Sequence, residues 1–141
     1  MKLIFILLFF FFNQINSEIK LIDQISNCII SDMGRFKYIQ IRVKNKNPPY
    51  ESKIIIRGKQ GIQYHLDIFI QFLNDIKQKS EIFNNFEFVP IGGGYIDIYG
   101  TNINIYGYST SYGKAIHKIT AEILSLYYPN YKIYYDERLI G

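Results

Sequence analysis

Few side chains in this 141-residue sequence are equipped for chemistry, and His65 is the first of them. Ile62, Leu66, Phe69, Leu73 and Ile76 recur at four-three spacing, which predicts an amphipathic helix over Ile62–Lys79. On that helix His65 falls between Phe72 and Ile76, on the buried face of the first turn. A positive helix end and partial burial both disfavour the imidazolium, leaving a neutral ring able to accept a proton. The same position also suits a core histidine bonded to a backbone carbonyl. Lys37 opens a strand face whose other members, Ile39, Ile41 and Val43, are apolar. It either reaches water at the sheet rim or is aimed at an anion. Ser109, Thr110 and Ser111 lie between a predicted strand and a predicted helix. Hydroxyls and free N–H groups there suit a phosphoryl group, and equally suit a helix cap. His117, on the flank of the second helix, reads as structural or exposed.

Other chemistries fit less well. Gly107 to Lys114 has the setting of a nucleotide-phosphate loop, but its glycines are one residue too far apart and Ala115 replaces the magnesium-binding hydroxyl. Cys28 and Arg35 are separated by six residues, where the compact loop of a cysteine-dependent phosphatase needs five. Cys28 is also the only cysteine, which rules out an internal disulfide. With two histidines far apart, a zinc centre would have to draw on scattered carboxylates, and no metal or cofactor is expected.

The elements that must position these residues follow from hydrophobic period and turn chemistry. Period-two alternation marks a strand at Phe36–Val43, and Lys53–Arg57 is a second, β-branched strand. After the first helix come a short strand at Phe86–Val89, the triplet Gly92-Gly93-Gly94, and strands at Tyr95–Tyr99 and Ile103–Tyr108 about a Gly100-Thr101-Asn102 turn. The second helix spans Lys114–Tyr128 with Ile116, Ile119, Ile123 and Leu126 inward, and Tyr131–Tyr135 is the last strand. The order β-β-α-β-β-β-α-β predicts an α+β fold. A mixed or antiparallel sheet of about six strands would carry two amphipathic helices.

Length allows one domain. The net charge of +4 suits an anionic ligand without demanding one, and no Lys/Arg run is long enough for a nucleic-acid stripe. Residues 1–17 have the charged start, ten-residue apolar run and small-residue exit of a secretory signal cut after Ser17. An uncleaved anchor or a mis-assigned start is the alternative. Residues 18–31 read as a connector, and 32–141 as the domain.

Taken in order, several strings resemble the small phosphohistidine phosphatases related to the janus proteins. They are Gly34–Val43, Glu51-Ser52-Lys53 with Arg57-Gly58, Tyr64–Ile68, Gly92-Gly93-Gly94, Tyr106–Ser109 with Tyr112-Gly113, and His117 before Tyr128-Pro129. No single string is specific, but the ordered set is, and it covers about 32–136. The resemblance implies an enzyme, free of metal and cofactor, that removes phosphate from phosphohistidine or phospholysine on proteins, and a monomer is expected. A member that has lost turnover and binds a phosphorylated partner is the alternative. By the same resemblance His65 is the proton acceptor, Lys37 contacts phosphate, and Ser109, Thr110 and Ser111 form the substrate loop. It also implies a cytoplasmic protein, against the secretory reading of the leader. Tyr95 stands where the family commonly has arginine, so a bidentate cation is missing. Lys114, expected at the start of the second helix, either reaches back over Ser109–Ser111 to replace that charge or is simply solvated.

Overall fold

The strand β2 (Gly34–Asn45) organises the domain because both of its faces are covered. Tyr38, Ile39, Gln40, Ile41 and Val43 are all buried, so side chains pointing either way find a packing partner. The computed structural model describes residues 21–79 and 81–139, together with 4 and 6–10 of the leader. Around β2 lie β1 (Cys28–Ile29), β3 (Ser52–Lys59), α1 (His65–Lys79), a 3-10 turn (Glu81–Phe83), β4 (Phe86–Tyr99), β5 (Asn102–Tyr106), α2 (His117–Tyr127) and β6 (Lys132–Tyr135). The sheet runs β1-β3-β2-β4-β5-β6, antiparallel in its centre and parallel at both edges. The fold is thus α+β with a six-stranded mixed sheet, as the sequence predicts.

Each face of the sheet has its own core. Ile39, Ile41, Val43 and Ile55 pack with Ile68, Phe72 and Ile76 of α1. Tyr38, Ile56, Ile96, Ile98, Ile103 and Ile105 pack with Leu124 of α2. Burying side chains of this size stabilises the fold by about 1.5–3 kcal/mol each before the entropy of ordering them is subtracted.

Four boundaries differ from expectation. The first helix starts at His65 rather than Ile62, and its buried stripe is His65, Ile68, Phe72 and Ile76. The second starts at His117 rather than Lys114, with His117, Thr120 and Leu124 inward. Leu126 is 78% exposed and Ile116 half-exposed, so two residues expected inside are outside. Hydropathy mistook this face because two polar residues are buried against polar partners. The expected connector is part of the domain from Leu21 on, since Ile22 and Ile25 are core residues and β1 pairs with β3. The expected cut after Ser17 lies outside the described residues, and no described helix is long and apolar enough to cross a membrane.

The fourth difference is the glycine triplet, which sits inside β4 instead of ending a strand. Gly92, Gly93 and Gly94 face Gln40, Ile39 and Tyr38 across the ladder. A Cβ on Gly92 would lie 2.6 Å from the Ala115 backbone, and one on Gly94 would lie 2.5 Å from the Tyr106 carbonyl and 2.6 Å from the His117 ring. Glycine is required there by close approach, not by an unusual backbone. Just before the triplet, Gln40 faces Gly92 whereas Ile41 faces Pro90, which leaves Ile91 as the extra residue of a β-bulge. Through that bulge Phe86 and Phe88 share the α1 face with Gly93 and Tyr95. Gly94→Ala is expected to destabilise the fold by roughly 2–3 kcal/mol, because the contact is with backbone that cannot yield. Gly100→Ala has open space and only a positive φ to overcome, so it should cost less. Equal denaturation midpoints for the two variants would contradict the packing described.

Candidate functional site

His65 is held from two directions. It is the first residue of α1, and its ring Nε2 lies 2.9 Å from the Gly94 carbonyl in β4. A carbonyl only accepts, so Nε2 carries a proton and donates it. In the neutral ring Nδ1 therefore holds the lone pair. Burial lowers the His65 pKa from the ordinary imidazole value. The Gly94 bond raises it in part, and the nearby Lys37 charge lowers it further. The Tyr95 ring stands edge-on to the imidazole, centroids 5.8 Å apart.

Lys37 lies on the same face of the sheet. Its partner across β2 and β4 is Tyr95, and across β2 and β3 it is Lys59. The ammonium donates to the Gln63 carbonyl, just ahead of α1, and sits 5.9 Å from the ring centres of both Tyr64 and Tyr95. Placing two lysines opposite one another is unfavourable without an anion between or beside them.

The Ser109–Ser111 segment is not the start of α2, which begins six residues later at His117. It belongs to a tight loop closed on itself. Ser109 N–H donates to the Gly113 carbonyl at 3.0 Å, Gly113 N–H donates back at 2.8 Å, and Tyr112 N–H donates to Ser109 Oγ at 3.1 Å. Ser109 is buried against Gly93, where a Cβ would lie 2.8 Å from His65 Cδ2 and 3.0 Å from Ser109 Cβ. His65 and Ser109 are thus brought together over one glycine. Thr110 and Ser111 are exposed at the loop tip, and among the described residues nothing accepts from their backbone N–H groups.

Lys114 does not reach back over this loop. Its ammonium donates to the Ala115 carbonyl and pairs with Glu137. Nor is it at a helix start, since α2 begins at His117.

Sequence reasoning missed the support beneath the site. His117 is fully buried, with Nδ1 2.5 Å from the Tyr38 hydroxyl and Nε2 2.7 Å from the Gly107 carbonyl. Nε2 therefore donates to Gly107 and Nδ1 accepts from Tyr38. Thr120 donates to the Tyr38 hydroxyl at 3.1 Å, and Gln40 donates to Thr120 at 2.7 Å and to the Ile116 carbonyl at 2.8 Å. His117 touches the underside of Gly94, whose carbonyl holds His65, and also fixes Gly107 at the root of the Ser109 loop. Tyr38 and Gln40 in a strand buried on both faces were the available signal, since buried polar groups need partners.

Across β4 and β5, Tyr95 stacks on Tyr106, centroids 5.7 Å apart and 18° from parallel. Tyr106 donates to Asp97, which Arg35 grips through two 3.0 Å bonds. Among the described residues, no three His, Cys, Asp or Glu side chains gather as a metal site would require.

A sequence model of the Janus/Ocnus family matches residues 22–132. The chain belongs to that family. Pig 14 kDa phosphohistidine phosphatase is 35% identical over 116 residues, covering 78% of this chain and 88% of the relative. The human protein of the same name is 34% identical over 110 residues, covering 74% and 84%. The sex-regulated protein janus-A of Drosophila melanogaster is 36% identical over 109 residues, 74% of this chain and 73% of that one. The Janus/Ocnus match spans every element that positions the site. Tyr95 stands inside the site, its ring centre 5.8 Å from that of His65 and 5.9 Å from the Lys37 ammonium.

Proposed function

We propose that this protein is a phosphohistidine phosphatase that cleaves the P–N bond on protein substrates, phosphohistidine or phospholysine, without a metal or cofactor. The observation that carries the proposal is a neutral His65 whose Nε2–H is committed to Gly94, which leaves Nδ1 as the proton acceptor of a ring that shares its sheet face with Lys37 and meets Ser109, the root of the loop with free N–H groups at Thr110 and Ser111, over Gly93. Phosphoryl oxygens rest on the Lys37 ammonium and on those N–H groups. Water attacks phosphorus as the P–N bond breaks. Its proton passes to His65 Nδ1 and from there to the departing nitrogen. The charge spread over the phosphoryl oxygens is stabilised by donors already in place.

Release of inorganic phosphate from a phosphohistidine-bearing protein tests this, with and without EDTA. The expected result is turnover that EDTA leaves unchanged. Loss of activity in EDTA and its return with a divalent metal would overturn the metal-free mechanism. The second reading, a binding module with little turnover, is favoured by Tyr95 in place of an arginine. Tight binding of a non-hydrolysable phosphoryl analogue with no release above background would select it.

The leader is proposed as a secretory signal, leaving a monomer without stable membrane association. Expressed in a eukaryotic cell, the secreted chain should begin at Glu18 by mass spectrometry. An intact Met1 on a cytosolic protein would instead give the cytoplasmic location implied by the resemblance.

A further inference from the structure

A cavity of about 350 Å³ lies along the flank of α1 that faces β1 and β3. Its walls include Ile29, Ile68 and Phe72, with Arg57, Lys59 and Asp75 as its charged members. It adjoins the site described above through Lys59, the ladder partner of Lys37, but is lined by none of Lys37, His65, Ser109, Thr110 or Ser111. The Ser109–Gly113 loop meets α1 on another side of the helix, where Tyr112 packs edge-on to Phe69.

Arg57 makes this cavity unusual. Only 9% of it is exposed, yet among the described residues no carboxylate stands within ion-pairing distance. Of the five N–H donors of a guanidinium, the protein engages only Nη1, through a 2.8 Å bond to the Ile56 carbonyl. The guanidinium lies over the Phe72 ring, its carbon 5.3 Å from the ring centre. No buried side-chain nitrogen lacks a partner, so the remaining donors open onto the cavity. Burying a cation this deeply without a counter-charge is costly, and desolvation lowers its pKa to about 10. Asp75 lines the same cavity and offsets part of the charge, while Lys59 at the rim adds to it.

We infer that this cavity is a second binding site, for a small organic acid with a carboxylate head and an apolar body. A planar two-oxygen head matches the fixed fork of Arg57, and Ile29, Ile68 and Phe72 match the body. The inference does not depend on phosphatase activity.

The test uses the full chain with isoleucine methyls labelled for NMR, titrated with 4-phenylbutyrate and separately with its neutral amide. The acid should shift the Ile29 and Ile68 methyls saturably and bind about tenfold or more tighter than the amide. Arg57→Met keeps the bulk of the side chain and removes a buried charge, so it should fold, and it should abolish the preference for the acid. Asp75→Asn should strengthen acid binding several-fold, whereas Lys37→Ala should leave it unchanged. Equal affinity for acid and amide, acid preference that survives Arg57→Met, or unmoved Ile68 methyls at millimolar acid would each overturn the inference.

Discussion

His65→Ala is expected to lose at least about a hundredfold in turnover of phosphohistidine while still unfolding as a single cooperative unit. The loss follows from the tautomer. Gly94 occupies Nε2, so Nδ1 is the ring atom left to accept the proton of water, and alanine offers no substitute. The pH profile carries the same argument. Burial and Lys37 lower the His65 pKa below its ordinary 6.5, so kcat/KM should stay flat through neutral pH. It should fall only on the acid side, as protonation of Nδ1 removes the acceptor. Because Lys37 contributes to the lowering, Lys37→Gln should move that acid limb upward. A folded His65→Ala protein with near-wild-type turnover, or an acid limb above 6.5, would remove His65 from the mechanism.

Lys37→Gln should cost about 2–3 kcal/mol of transition-state stabilisation, on the order of a hundredfold in kcat/KM. Glutamine is preferable to alanine because its amide can still donate to the Gln63 carbonyl ahead of α1. The charge is then removed without freeing the helix entry. Lys37 is the one charged group that perturbs the His65 titration among the described residues, so little remains to compensate its loss. Tyr95→Arg should accordingly recover part of the activity in a Lys37→Gln background. Unchanged kcat/KM in Lys37→Gln with an unaltered melting temperature would show that the lysine serves only the sheet rim.

The sequence made much of this legible for definite reasons. Alternation in β2 assigned Lys37 to the face of Ile39, Ile41 and Val43, and the helical wheel put His65 inside, because both follow from backbone period alone. The Ser109–Ser111 segment is recognisable by composition, but its setting in the fold is not. Its exposed N–H groups come from a loop closed by Ser109 and Gly113, not from a helix start. What hydropathy could not reveal was the network of Tyr38, Gln40, His117 and Thr120. Each of these is polar, His117 alone reads as structural or exposed, and the partners that bury them are about 80 residues apart. Three glycines in a row likewise read as a break, because only tertiary neighbours show that the strand needs their missing side chains.

The bulge at Ile91 gives the chain an arithmetic. A strand sends odd and even positions to opposite sides, so one extra residue inverts everything beyond it. The aromatic stretch before Ile91 anchors the first core, and the stretch after it presents Tyr95 to Lys37 and His65. The two stretches are therefore in phase only because of that one supernumerary residue. Deleting Ile91, or inserting one residue beside it, would turn Tyr95 toward α2 and press Gly92 and Gly94 toward His65. The glycine that now admits Ser109 would then stand over Ala115. A change of two residues would keep the phase. Length variation in this segment is thus quantised in pairs, and a chain of this type can tolerate many substitutions here more readily than a single-residue gap.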